Sequence, residues 1–149
     1  MEAGTVALVG AGPGAADLIT VRGLRILEQA EVAVYDRLMP EELLDATPPE
    51  CERLYAGKGS GHHLLPQDTI NELLIDRAQA GYRVVRLKGG DPFLFGRGGE
   101  EAEALTAAGI PCEIIPGVTA AAACGAASGI PLTHRDHAST VTLVTGHRR

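Results

Sequence analysis

The sequence predicts an α/β fold: a mostly parallel sheet with flanking helices on both faces. Three observations lead there. Short runs rich in Val, Leu and Ile alternate with segments of helical period along the chain. Glycine-rich turns follow the first, third and fourth of those runs, at the strand ends where ligands sit in such sheets. The 149 residues suffice for one sizeable domain and are too few for two ordinary ones.

Taken in order, residues 5–9 form a buried strand through Val6, Leu8 and Val9, ending in Gly10-Ala11-Gly12-Pro13-Gly14. A helix over about 21–30 turns Leu24, Ile26 and Leu27 to the core. The second strand, 32–35, ends at Asp36, and Pro40 opens a short helix to Leu44. A third strand, 53–56, leads into Gly57-Lys58-Gly59-Ser60-Gly61. After Pro66 comes the clearest helix, with Ile70, Leu73, Leu74 and Ala78 on one face and Gly81 just past its end. The fourth strand, 83–87, runs into Gly89-Gly90-Asp91-Pro92. An Ala-rich helix over 100–108, closed by Gly109, precedes a fifth strand at 113–115. Small residues over 118–128 read as helical, and 141–145 reads as a last strand. The expected organisation is an N-terminal lobe over 1–115, a connecting segment over 116–138, and the first strand of a second, largely absent lobe over 139–149.

Composition removes several functions. The net charge is −6 and no Lys/Arg run stands out, so neither nucleic acid nor a membrane surface is an expected partner. Trp is absent and aromatic residues make up 3%, too few for base stacking along a single strand. No apolar run reaches the length of a membrane span, and the first residues do not resemble a secretory leader. Cys51, Cys112 and Cys124 are odd in number and form no CxxC, which argues against a disulfide framework or zinc site and for the cytoplasm. His134 and His137 lack a third ligand at metal spacing, so no metal is expected.

The first glycine turn has two readings. Gly10-Ala11-Gly12-Pro13-Gly14-Ala15 fits G-x-G-x-x-A after a strand, and Asp36 ends the next strand, as in a flavin- or nicotinamide-binding oxidoreductase. Against this, Pro13 has no N–H for a pyrophosphate, and the helical period begins near Thr20, too late to place a helix N-terminus on a phosphate. A tight loop that brings backbone atoms close to another ligand is the alternative.

The wider constellation bears on that choice. Val9 to Gly14, Val34-Tyr35-Asp36-Arg37-Leu38, Gly57-Lys58, the run from Gly89 to Glu101, Pro116-Gly117-Val118-Thr119-Ala120-Ala121 and Pro131-Leu132-Thr133-His134-Arg135 occur in one order over nearly the whole chain. Together they resemble the tetrapyrrole methylase family, most closely its uroporphyrinogen-III C-methyltransferase branch. The chain departs from the usual pattern at Ala15, where the family has Asp, and at Gly59, where it often has Arg.

The resemblance implies a bilobed α/β enzyme, usually a homodimer. It implies that S-adenosylmethionine donates methyl groups to two carbons of uroporphyrinogen III, giving precorrin-2 and S-adenosylhomocysteine on the route to siroheme and cobalamin. It implies donor-binding roles for Pro13, Gly89, Gly90, Asp91, Leu94, Thr119 and Ala120. It implies Asp36 as proton acceptor and Lys58 as proton donor, although a lysine in that glycine-rich turn could equally hold a substrate carboxylate. Arg37, Arg97 and Arg135 are candidates for the substrate's carboxylates, since a guanidinium meets a carboxylate bidentately. With the second lobe largely absent, the 149 residues by themselves are expected to be a fragment with little or no activity.

Overall fold

A computed structural model of the chain describes residues 1–57 and 66–146. Five strands form one sheet in the order β3-β2-β4-β1-β5, and every pairing is parallel. They are β1 (Val6–Gly10), β2 (Val32–Tyr35), β3 (Glu52–Tyr55), β4 (Val84–Lys88) and β5 (Cys112–Ile115). The helices are α1 (Val21–Leu27), α2 (Gln67–Gln79), α3 (Gly98–Ala107) and α4 (Ala120–Ser128). A single-turn 3-10 segment, Ala16–Leu18, precedes α1, and a longer one, Glu41–Ala46, joins β2 to β3.

The side-chain alternation of the strands builds two cores, one on each sheet face. Ala7, Val9, Ala33, Val85 and Leu87 face Ile26 and Leu27 of α1 and Leu43 of the longer 3-10 segment. Val6, Leu8, Val32, Val34 and Val84 face Ile70, Leu74 and Ala78 of α2 and Leu105 of α3. Covering both faces explains why β1 and β2 are almost wholly apolar and why β4 is apolar except at Arg86 and Lys88. Leu87 lies in the middle strand and is fully buried. Leu87→Ala is expected to lower the unfolding free energy by about 2–5 kcal/mol, read by denaturant titration, because the cavity left behind cannot collapse in a strand paired on both edges.

Local chemistry sets the helix ends. Thr20 and Thr119 cap α1 and α4, accepting the N–H groups of Gly23 and Ala121. Gly129, at φ 68°, closes α4 in the left-handed conformation. Helix α1 stops at Leu27, before the expected Ala30, because the next N–H groups close tighter turns: Gln29 donates to Ile26 and Ala30 to Leu27.

The strand expected over 141–145 does not form. Those residues hold no ladder, and the stretch 129–146 is exposed. A strand exists only as part of a ladder, and the described sheet ends at β5, which pairs on one side with β1.

Candidate functional site

Strands β1 and β4 lie side by side, yet their connections leave in opposite directions, β1 toward β2 and β4 toward β5. Such a switch point opens a crevice beyond the carboxyl ends of the two strands. The loops that follow β1, β4 and β5 meet there and are fastened by backbone. Gly12 and Gly90 exchange hydrogen bonds as an isolated antiparallel bridge, 2.7 Å from the Gly90 N–H to the Gly12 carbonyl and 3.3 Å in return. Asp91 adds the third loop: Oδ1 accepts the Phe93 N–H at 2.9 Å and Oδ2 accepts the Gly117 N–H at 3.0 Å.

Glycine is required where these loops cross. A Cβ on Gly10 would lie 2.6 Å from the Gly117 Cα, and one on Gly89 2.5 Å from the Leu38 carbonyl oxygen. Gly90 differs: it sits at φ 66° and a Cβ there would meet no protein atom within 4 Å. The space before this loop is therefore open, as a ligand approaching the backbone needs.

A cavity of about 530 Å³ occupies the crevice, within the range of small-molecule sites. Pro13, Gly89, Gly90, Asp91, Leu94, Thr119 and Ala120, the seven residues singled out for a donor, all line it. So do Leu38, Phe95, Val144 and neighbours not singled out, Val144 coming from the segment that forms no strand. Phe95 adopts φ 55°, a left-handed conformation rare for an aromatic residue; sequence offers no signal for it. A wider groove of about 790 Å³ lies beyond Pro13, lined by Leu18, Val118 and the alanines of α4. Apart from the Cys124 thiol its lining is apolar, whereas the crevice presents Asp91 and Thr119.

Asp36 ends β2 one strand away. Its Oδ1 accepts the Leu38 N–H at 3.0 Å and its Oδ2 pairs with Arg86 Nη2 at 3.1 Å. Arg86 and Lys88 alternate along β4, so both point to the α3 side, where they meet Glu101. Three of these four charged groups are buried. Burial, followed by the nearby Arg86 charge, pushes the Lys88 ammonium below its ordinary range, and Glu101 works against that shift.

The remaining candidates are scattered. Arg37 is exposed. Arg97 caps α3 in the left-handed conformation and is ion-paired to Glu100, with Nη2 2.6 Å from Oε2. Arg135 lies on the exposed stretch after α4. Lys58 falls outside the described residues, as do His62 and His63. Among the described residues no group of three or more His, Cys, Asp or Glu could hold a metal, and no helix is long and apolar enough to cross a membrane.

Fold and crevice together define a parallel α/β domain with an open cavity at its topological switch point. Residues 5–149 match the family Tetrapyrrole (Corrin/Porphyrin) Methylases, and the chain belongs to that family. It is 58% identical over 148 residues to siroheme synthase of Yersinia pestis, a match covering 99% of this chain and 32% of that protein. The uroporphyrin-III C-methyltransferase of Thermus thermophilus, solved with S-adenosylhomocysteine, superposes with a TM-score of 0.76 at 47% identity, over 91% of this chain and 56% of that one. A cobalt precorrin-4 methyltransferase superposes with a TM-score of 0.77 at 37% identity, over 89% of this chain and 54% of that one. The chain thus spans about a third of the length of the curated relatives it matches.

Proposed function

We propose that this chain carries the donor-binding crevice and the proton acceptor of an S-adenosylmethionine-dependent methyltransferase that converts uroporphyrinogen III to precorrin-2. One observation carries the reading: the seven residues to which the family resemblance gives donor-binding roles, separated in sequence, line a single cavity at the switch point. The Thermus relative's complex with S-adenosylhomocysteine supports it.

Bound S-adenosylmethionine supplies an electrophilic methyl group on a sulfonium. The protein's task is alignment, since the acceptor carbon, methyl and sulfur must be collinear. The sulfonium loses its charge during transfer, so a strong fixed anion against it would oppose the reaction. In the crevice the Asp91 carboxylate is engaged with two backbone N–H groups. Methylating a pyrrole carbon also displaces protons. Asp36, fixed by Arg86 and partly exposed, is the proton acceptor, and Lys58 is assigned proton donor on the Gly-Lys motif. Arg37, Arg97 and Arg135 are assigned to substrate carboxylates; Arg97 must exchange Glu100 for one to do so. Homodimeric assembly and a cytoplasmic setting belong to the same reading, the first supported by the exposed, nearly all-apolar α4.

Calorimetry on this chain tests the donor. S-adenosylhomocysteine is expected to bind, and NAD and FAD are not. Binding of NAD with no heat from S-adenosylhomocysteine would return the first glycine turn to the dinucleotide reading.

A further inference from the structure

Beneath the crevice lies a buried charge cluster that donor binding does not require. Glu101, in the first turn of α3, has 0% of its side chain exposed. Its Oε1 accepts from Arg86 Nε at 3.2 Å, Lys88 Nζ at 3.0 Å and Gln67 Nε2 at 3.2 Å, and Lys88 Nζ is also 3.0 Å from Oε2. A cluster of this kind is a poor device for stability, because well-packed apolar residues of the same volume do as well or better. The neighbouring position on this face of β4 is Val84, in the apolar core. The charges therefore call for another reason.

Arg86 supplies it. Its guanidinium is fixed on three sides: Nε on Glu101, Nη1 on the Leu87 carbonyl at 3.2 Å, and Nη2 on Asp36 Oδ2 at 3.1 Å. Asp36 is in turn held at both oxygens, by Arg86 and by the Leu38 N–H, while a quarter of its side chain stays open to solvent. A planar fork seated at one end presents the other in a set direction, which a lysine could not do. We propose that Glu101 is a positioning residue: it clamps Arg86 in the orientation that aims Asp36, with Lys88 and Gln67 holding the clamp. The inference rests on the reading of Asp36 as proton acceptor.

The test places E101Q, R86K, D36N and the double variant D36N/E101Q in the complete two-lobed enzyme that contains these residues, using methylation of uroporphyrinogen III and S-adenosylhomocysteine calorimetry. R86K keeps a buried cation against Glu101 but cannot also span to Asp36, so it serves if E101Q folds poorly. Each single change at the clamp is expected to lower kcat by about ten- to a hundredfold, with KM and donor Kd within about twofold of the parent. The double variant is expected to be no slower than D36N, because a positioning residue has nothing left to position. Parent-like kcat in R86K, or losses that multiply in the double variant, would overturn the clamp while leaving the proton acceptor in place. A fully active D36N would instead remove the proton acceptor, and the clamp with it. A crystal structure of E101Q supplies a readout independent of turnover. The Asp36–Arg86 pair is expected to part, and an unchanged pair would also overturn the proposal.

Discussion

Gly117→Ala is expected to weaken donor binding by about a hundredfold while leaving a folded protein. A Cβ at this position would overlap the Gly90 carbonyl oxygen and lie 2.8 Å from the Gly10 Cα. Both obstacles are backbone, so no side-chain rotation relieves them, and one loop must move away from the others. The movement breaks the Gly117–Asp91 hydrogen bond and separates the loops that the Gly12–Gly90 bridge fastens. Overpacking of this kind destabilises by about 1–3 kcal/mol. The larger effect is on the ligand, because displacement of a positioning loop by about 1 Å is enough for a loss near a hundredfold. Calorimetry with S-adenosylhomocysteine reads the change. Gly99→Ala is the control, since a Cβ on that exposed residue of α3 meets nothing within 4 Å. Parent-like affinity in Gly117→Ala would show that the crossing of the three loops does not shape the donor site.

The second large effect is expected at Asp36. In the complete enzyme, Asp36→Asn should reduce methylation of uroporphyrinogen III by about a hundred- to ten-thousandfold, the usual contribution of a general base. Donor affinity should stay within about twofold, because the cavity is lined by other residues. Asparagine keeps the shape and can still accept the Leu38 N–H, so the local turn survives. What is lost is a group able to take a proton. Collapse of donor affinity with normal residual turnover would place Asp36 in the binding site and refute the base assignment.

The fold was legible where periodicity and burial agree. Strands β1 and β2, and β4 apart from Arg86 and Lys88, are apolar because both sheet faces are covered, so their positions follow from the sequence pattern alone. The stretch at 141–145 carries the same signal and forms no strand, because composition states a preference and pairing decides the outcome. The crevice was legible as motif: the glycines at 89 and 90 announce a backbone that something approaches. Leu38 and Phe95 were not, since loop residues enter the lining through backbone angles that no periodicity encodes. The charge cluster left half a signal. Arg86 and Lys88 stand at alternate positions of an otherwise apolar strand, which puts two cations on one buried face and demands a buried anion. That the anion is Glu101 depends on how α3 packs, which the strand itself does not specify.

The strand order also governs how the molecule is made. β1 and β2 are neighbours in sequence but share no ladder, because β4 lies between them. As the chain leaves the ribosome, the first two strands face a gap one strand wide, and its filler, Val84–Lys88, is synthesised only after β3 and α2. Sheet closure is therefore an insertion rather than a sequential zipping, and it waits on a long-range contact. The inserted strand is also the one that carries Arg86 and Lys88. The two cations lie on the face that α3 covers, so insertion of β4 and docking of Glu101 must be coupled if Arg86 and Lys88 are not to be buried unpaired.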